Sequence, residues 1–276
     1  MVSPWLETTG VALVAVLGVF LGRWCSRLRG PYWLVGYFLA WMCIVVLIAA
    51  RFNSALDVVP SVSWMAAGRV RFLLLAFAIT MGLRTPLSRL ARRWEHVLIC
   101  VLMTAFVLWS CVLPVLVPAF LEAKLSNLKT MRDSAGICLQ TTGYTCVPAA
   151  AVTALETLGL SAEEGEIAIL AGSNPVGGTL PRCLSRALQR RYGEEGLKCE
   201  YRRFSSVRQL SNGAVTLAVV RDSLLSDHCV AVLDVSDETV TIADPATGME
   251  SLSHKQFERV WRFAGIVLER DAAQGI

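Results

Sequence analysis

Charge is what this chain has least of. Asp, Glu, Lys and Arg make up only 17% of 276 residues, and mean hydropathy is +0.53. A soluble globular chain carries about a quarter charged residues, so a wholly soluble protein is not expected. Acidic residues are scarcest at the start. Residues 1–132 hold 4 Asp/Glu against 13 Lys/Arg, and residues 133–276 hold 18 against 13. The formal net charge of +4 therefore joins a first half near +9 to a second half near −5. Other signals are missing altogether. No basic segment precedes the first apolar run, which begins beside Glu7, and this argues against a secretory signal peptide. No repeat or low-complexity tract is present. The pair Gly177–Gly178 has no lysine behind it in P-loop spacing, which excludes that mode of nucleotide binding. Convergent metal ligands are not apparent either: Cys229 follows His228 and should point to the opposite face of a strand. No cofactor and no metal are expected. The arginines lie between long apolar runs, the usual flanks of membrane spans, so the basic first half points to lipid rather than nucleic acid.

What the first half does have is length of apolar sequence. A span needs about 20 mostly apolar residues. Residues 31–50 supply 20 without a charge, and residues 97–120 supply 24, interrupted by Pro114 and Pro118. Residues 8–22 extend back through Trp5 and Leu6 to make another. The third run, 72–83, is only 12 residues, and reaching back to Val58 crosses Gly68, Arg69 and Arg71. Those arginines read as snorkelling anchors or as a functional pair within the membrane. The expectation is about four spans. The loops 23–30 and 84–95 then share one side and hold seven arginines against one acid. The positive-inside tendency puts them in the cytoplasm and the rest of the chain outside. Failure of the third span would reverse that.

The second half carries mixed periodicities. Residues 121–132 are amphipathic and should continue the last span as a helical stalk or linker. Residues 147–158 have helical rhythm, with Pro148 in the first turn and Gly159 at the end. Further helices are expected over 163–170, with Ser161 as cap, and over 180–192, with Thr179 as cap. The runs 214–220, 229–235, 239–243 and 263–268 are β-rich and separated by turns. Helices first and strands later give an α+β domain with a largely antiparallel sheet.

Four residues carry chemistry. Cys146 stands at a helix start, where free N–H groups and the helix dipole favour negative charge, and a cysteine is nucleophilic as thiolate. His228 and Asp244 lie at the open end of a β-hairpin. A turn near 235–237 pairs them directly, and a register slip of one or two still leaves both at that open end, so the carboxylate can orient the ring. Gln140 can offer a side-chain N–H beside the Cys146 backbone N–H, which together make an oxyanion hole. Taken singly these residues are unremarkable: a lone cysteine at a helix start is usually structural, and Asp-Pro is usually a turn. Jointly they make a cysteine hydrolase. His96 reads as a membrane-interface residue and His254 as a helix first-turn residue. Cys138, Cys146, Cys183, Cys199 and Cys229 leave two readings open: one free nucleophile with up to two disulfides, or five reduced, buried hydrophobes.

The same residues carry a resemblance. Gln140 six positions before Cys146, the segment Gly-Tyr-Thr-Cys followed by Pro-Ala-Ala, Gly178-Thr179, and His228 with Asp244-Pro-Ala-Thr-Gly248 resemble papain-like cysteine peptidases. The best match is the bacteriocin-processing family, which cleaves leader peptides after a double glycine. The resemblance spans roughly residues 133–270. It implies a papain-like fold with Cys146 as nucleophile, His228 as general base and acid, Asp244 as orienting residue and Gln140 as oxyanion donor. Two features depart from the family. Val147 stands where glycine is typical, and could narrow the cleft or stiffen the helix start. Family members fused to exporters precede the transporter and carry an ATPase, whereas here the domain follows the spans without a Walker segment. These departures bear on specificity rather than on thiol chemistry.

The expected organisation is a transmembrane helical domain at 1–120, a stalk at 121–132 and a papain-like peptidase domain at 133–276. The expected function is a membrane-anchored cysteine peptidase of the bacterial inner membrane, its catalytic domain extracytoplasmic. Its partners would be a peptide or protein substrate, the bilayer and other membrane proteins, with no nucleic acid or nucleotide. Two alternatives stand beside it. One is a non-catalytic peptidase-like module that binds peptides or assembles partners. The other is an acyl or γ-glutamyl transferase using the same thiol intermediate.

Overall fold

The computed structural model describes residues 4–52, 70–87, 89–210, 214–223 and 226–271. The chain divides into two units, Met1–Ala119 and Phe120–Ile276. In the first, α1 is Pro4–Ser26, α2 is Leu34–Phe52, α3 is Val70–Leu87 and α4 is Arg93–Val107. Helix α4 runs on through a π turn, Leu108–Val112, into α5, Leu113–Leu116. The widened turn comes just before Pro114, whose missing N–H cannot continue the regular ladder. Among the described residues, four stretches are long and apolar enough to cross a membrane: Trp5–Ser26, Gly30–Ala49, Val70–Leu87 and Arg93–Leu116.

The third stretch is longer than its apolar centre, because α3 continues through Arg84, Thr85 and Pro86. The extension back over Gly68 and Arg69 to Val58 lies outside the described residues. Helix α3 packs against both α1 and α2, and small residues make the approach close. A Cβ on Gly18 would collide with Thr80 Oγ1, and one on Gly36 with Thr85 Oγ1. Both hydroxyls donate back along α3, to the Ala76 and Met81 carbonyls at 2.7 Å. At these two glycines the apolar seam holds satisfied hydroxyls. At one end the guanidinium of Arg89 lies 4.5 Å from the centroid of the Trp33 ring. This cation–π contact joins the α1–α2 connection to the α3–α4 connection.

Helix α6, Pro118–Leu125, is shorter than the helical stalk expected to residue 132. Ser126 Oγ and Asn127 Nδ2 both donate to the Ala123 carbonyl, at 3.0 and 2.7 Å, a side-chain competition that favours helix ends. Beyond it, β1 (Met131–Arg132) pairs antiparallel with β2 (Cys138–Leu139).

The second unit continues with α7 (Cys146–Thr157), α8 (Glu164–Ala171) and α9 (Pro181–Tyr192). Then come β3 (Leu197–Arg203), β4 (Val215–Arg221), β5 (Asp227–Val235), β6 (Thr239–Asp244) and β7 (Gly248–Ser253). Helix α10 (His254–Val260) and β8 (Trp261–Arg270) complete it. Strands β3 to β8 form one antiparallel sheet in the order β3-β8-β4-β5-β6-β7. This is the α+β arrangement that the order of periodicities implied. The strands not singled out from sequence, β3 and β7, are the sheet edges. Their alternating Lys198, Glu200, Arg202 and Glu250 mask the β pattern and guard the edges against further pairing.

Each sheet face is covered. On one, Ala149–Leu155 of α7 meet Cys229, Ala231, Ala243, Leu217 and Ile266. On the other, Val230, Val232, Ile242 and Val220 meet Phe257 and Trp261. The expected caps of α8 and α9 differ from those observed. Glu163 and Leu180 hold the cap positions with no side-chain cap bond. The Glu164 N–H donates instead to Thr130 Oγ1 at 2.9 Å, and Thr179 Oγ1 turns to Ser173 Oγ at 2.6 Å. Contacts distant in sequence thus take the place of local caps.

Candidate active site

Helix α7 begins at Cys146 because the preceding turn is closed by its own threonines. Thr145, fully buried, donates its backbone N–H to the Thr142 carbonyl at 3.3 Å. Its hydroxyl oxygen in turn accepts the Thr142 N–H at 3.1 Å. Pro148 follows in the first turn, where no N–H is needed. From Val147 to Leu155 the helix body is buried, so the packing of the core fixes where Cys146 points. Cys146 itself is half-buried. Val147, the residue that replaces glycine, packs into this core at 8% exposure, so its added bulk is taken up there.

His228 is the second residue of β5 and Asp244 the last of β6. Their strands form the expected hairpin, in a different register. Ala231 faces Ala243 and Val232 faces Ile242. Carried one step outward, that register sets Val230, not His228, across from Asp244. The turn is Ser236–Thr239, closed by Ser236 N–H to the Thr239 carbonyl at 2.9 Å, and lies later than expected. A bulge between Val232 and Asp234 takes back one residue of that offset. His228 reaches the carboxylate diagonally, with Nε2 at 2.7 Å from Asp244 Oδ1. The same oxygen accepts the Ala246 N–H at 2.7 Å. The Cys146 thiol also acts on the ring, helping to raise its pKa, and with Nε2 committed to Asp244 the free ring nitrogen is Nδ1.

Burial disfavours the charged imidazole, but hydrogen bonds to Asp244 and Cys146 and the charges of both lift His228 to about 10. Burial likewise raises the Asp244 carboxyl. Its bonds to His228 and to the Ala246 and Thr247 backbone outweigh that and hold it below the usual carboxylate range. Each partner stabilises the charged form of the other.

Gln140 joins the group through its backbone, its N–H donating to the Pro245 carbonyl at 2.8 Å, next to Asp244. Its side-chain Oε1 is buried and has no partner among the described residues. Gly248, with φ +96°, closes the loop after Asp244; a Cβ there would sit 2.9 Å from Asp133 Oδ2. The structure therefore bonds His228 to Asp244, sets Cys146 where it acts on the same ring, and ties Gln140 to the loop after Asp244. The other histidines are occupied elsewhere: His96 Nε2 with the Leu90 carbonyl at 3.1 Å, His254 Nε2 with Ser236 O at 2.9 Å.

Burial sets three other thiols of this unit apart. All nine cysteines are free. Burial pushes Cys199 up to about 12 and, with the charge of Glu164, Cys138 also to about 12. Burial raises Cys229 as well, helped by the charges of Cys146 and Asp244. They act as small core hydrophobes, and no pair is bridged. Among the described residues no group of three or more His, Cys, Asp or Glu converges as a metal site would.

One residue escaped the sequence reading. Glu164 is fully buried, with Oε1 accepting the Thr141 N–H at 3.0 Å, directly after Gln140. An acid in a helix first turn normally reads as a solvated residue suited to the dipole, so no local signal marked it.

The sequence profile of the Peptidase C39 family matches residues 134–274. An uncharacterized protein of Methanothermobacter marburgensis is 28% identical over 145 residues, which cover 52% of this chain and 96% of the relative. One of Methanothermobacter thermautotrophicus is 28% identical over 134 residues, covering 49% and 88%. Among solved structures, the peptidase domain of Streptococcus ComA, a bifunctional ABC transporter of a quorum-sensing pathway, is 16% identical. It aligns over 48% of this chain and 96% of its own with a TM-score of 0.42. A double glycine motif protease from an AMS/PCAT transporter, solved with its leader peptide, is 14% identical over 52% and 93%, with a TM-score of 0.40. With its second half matched almost throughout, the chain belongs to the peptidase C39 family.

Proposed function

We propose that the chain is a membrane-anchored cysteine peptidase that cleaves a peptide or protein substrate close to the bilayer. Residues 1–120 serve as the anchor, 121–132 as a linker and 133–276 as the peptidase domain. One observation carries the reading: the His228 imidazole is hydrogen-bonded to the Asp244 carboxylate, and the Cys146 thiol helps to raise the pKa of the same ring. A peptide-binding module has no need of that arrangement.

The chemistry follows from the groups. Cys146 sulfur attacks the scissile carbonyl, forming a C–S bond and a tetrahedral oxyanion. The oxyanion is held by the Gln140 side-chain N–H and the Cys146 backbone N–H. Protonated His228 gives its proton to the leaving amine as the C–N bond breaks, leaving a thioester. His228, now neutral, takes a proton from water, which attacks the thioester and releases the acid and the free thiol. Asp244 keeps the ring oriented and supports its charge throughout.

Outward placement of the peptidase domain is part of the proposal. Four crossings return the chain to the side from which it started. The loops with Arg27, Arg29, Arg89 and Arg92 form the cytoplasmic end under the positive-inside tendency, and the Trp33–Arg89 contact supports their sharing one side. The test is comparative peptidomics of cells carrying the native protein or Cys146→Ala. Peptide termini that arise only with the native protein are expected. Identical peptidomes, together with an inert Cys146, would remove the enzyme reading.

A further inference from the structure

Within the peptidase unit, three buried side-chain oxygens lack a partner among the described residues: Gln140 Oε1, Thr141 Oγ1 and Glu164 Oε2. They are neighbours through one contact, the Thr141 N–H donated to Glu164 Oε1 at 3.0 Å. A fully buried carboxyl with one bond is costly, and its neighbour Glu163, exposed, could serve the α8 helix dipole in its place. The α8 helix start does not account for the burial of Glu164. Its one bond goes to the segment that carries Gln140.

That bond is delivered from a rigid base. The Glu164 N–H is held by Thr130 Oγ1 at 2.9 Å, and the next residue, Gly165, lies so close under the Leu125 carbonyl that no Cβ would fit. On the other side, the Gln140 N–H is held by the Pro245 carbonyl at 2.8 Å. The Gln140–Thr141 peptide is thus clamped between the loop after Asp244 and the first turn of α8. We propose that Glu164 is a positioning residue that acts through Gln140, fixing the backbone so that the Gln140 amide is aimed at the oxyanion. This rests on the peptidase reading above.

Two reagents separate positioning from general structure, using the full-length protein in detergent. p-Nitrophenyl acetate acylates a cysteine through a tetrahedral oxyanion: the S–C bond forms, the ester C–O bond breaks and p-nitrophenolate leaves. Iodoacetamide alkylates the same sulfur by direct displacement of iodide, with no oxyanion. Glu164→Ala is expected to slow acylation of Cys146 about 10-fold or more, within the ~10²-fold that a 1 Å misplacement costs. Alkylation should stay within about twofold of native, since Cys146 and His228 are untouched. Glu164→Gln, which keeps an acceptor oxygen, should restore acylation. In a Gln140→Ala background the Glu164 change should add nothing. If Glu164→Ala does not fold, Glu164→Met keeps the volume without the acceptor and is compared with Glu164→Gln. Equal slowing of both reagents, slowing of neither, or a full effect without Gln140 would each overturn the proposal. A native Cys146 inert to the ester overturns the peptidase reading itself and this inference with it.

Discussion

His228 Nε2 lies 2.7 Å from Asp244 Oδ1 although the hairpin register does not set the two residues opposite each other. The bond runs diagonally across the ladder and is reinforced by the Ala246 N–H on the same oxygen. A side chain with reach can use the diagonal neighbour as readily as the direct one, so the bulge moves the backbone partner without separating the pair.

Cys146 should be the most rapidly alkylated thiol of the peptidase domain. It is only partly buried and acts on the His228 ring, which is held cationic, while burial raises Cys138, Cys199 and Cys229. Timed iodoacetamide labelling with peptide mass mapping checks this, and His228→Ala should slow the labelling near neutral pH. Faster labelling of Cys183 or Cys199, with Cys146 inert, would contradict the assignment.

The His228–Asp244 pair should shape stability against pH in two directions. His228 is raised from 6.5 to about 10, so its contribution is complete below about 6.5 and declines as pH rises toward 10. Asp244 is lowered, so its contribution is present above its ordinary value of 3.8 and is lost as pH falls further. The melting temperature of the native protein should therefore fall across the alkaline range, and Asp244→Asn should flatten that fall. An unchanged alkaline slope in Asp244→Asn would show that the pair does not provide it.

Gln140→Ala should lower turnover of an ester or peptide by roughly 10²- to 10³-fold, the scale of one oxyanion donor. Folding should survive, because the bond to Pro245 uses the backbone N–H. A change confined to KM would make Gln140 a binding residue instead.

Reporter fusions at Ile276 should report an extracytoplasmic end: active alkaline phosphatase, and a dark cytoplasm-only fluorescent reporter. The opposite pattern would mean an inward-facing domain, through an odd number of crossings or the inverted orientation.

Local pattern by itself was enough for much of this protein. Apolar stretches of span length, helical rhythm after Cys146 and β runs around His228 and Asp244 are properties of neighbouring residues, and they were legible as such. So was the shared hairpin end of the His–Asp pair, because a turn a few residues away enforces it. The tertiary structure alone decided the rest. α3 became a full-length helix through its packing on α1 and α2, where Gly18 and Gly36 make room for Thr80 and Thr85. The stalk ended at Leu125, where the side chains of Ser126 and Asn127 both took the Ala123 carbonyl. Gln140 met Asp244 through the Pro245 carbonyl, and Glu164 met Thr141 from a separate helix. These partners lie far apart along the chain, so only the closing of the core, which buries them together and makes each seek a hydrogen bond, could bring them into contact.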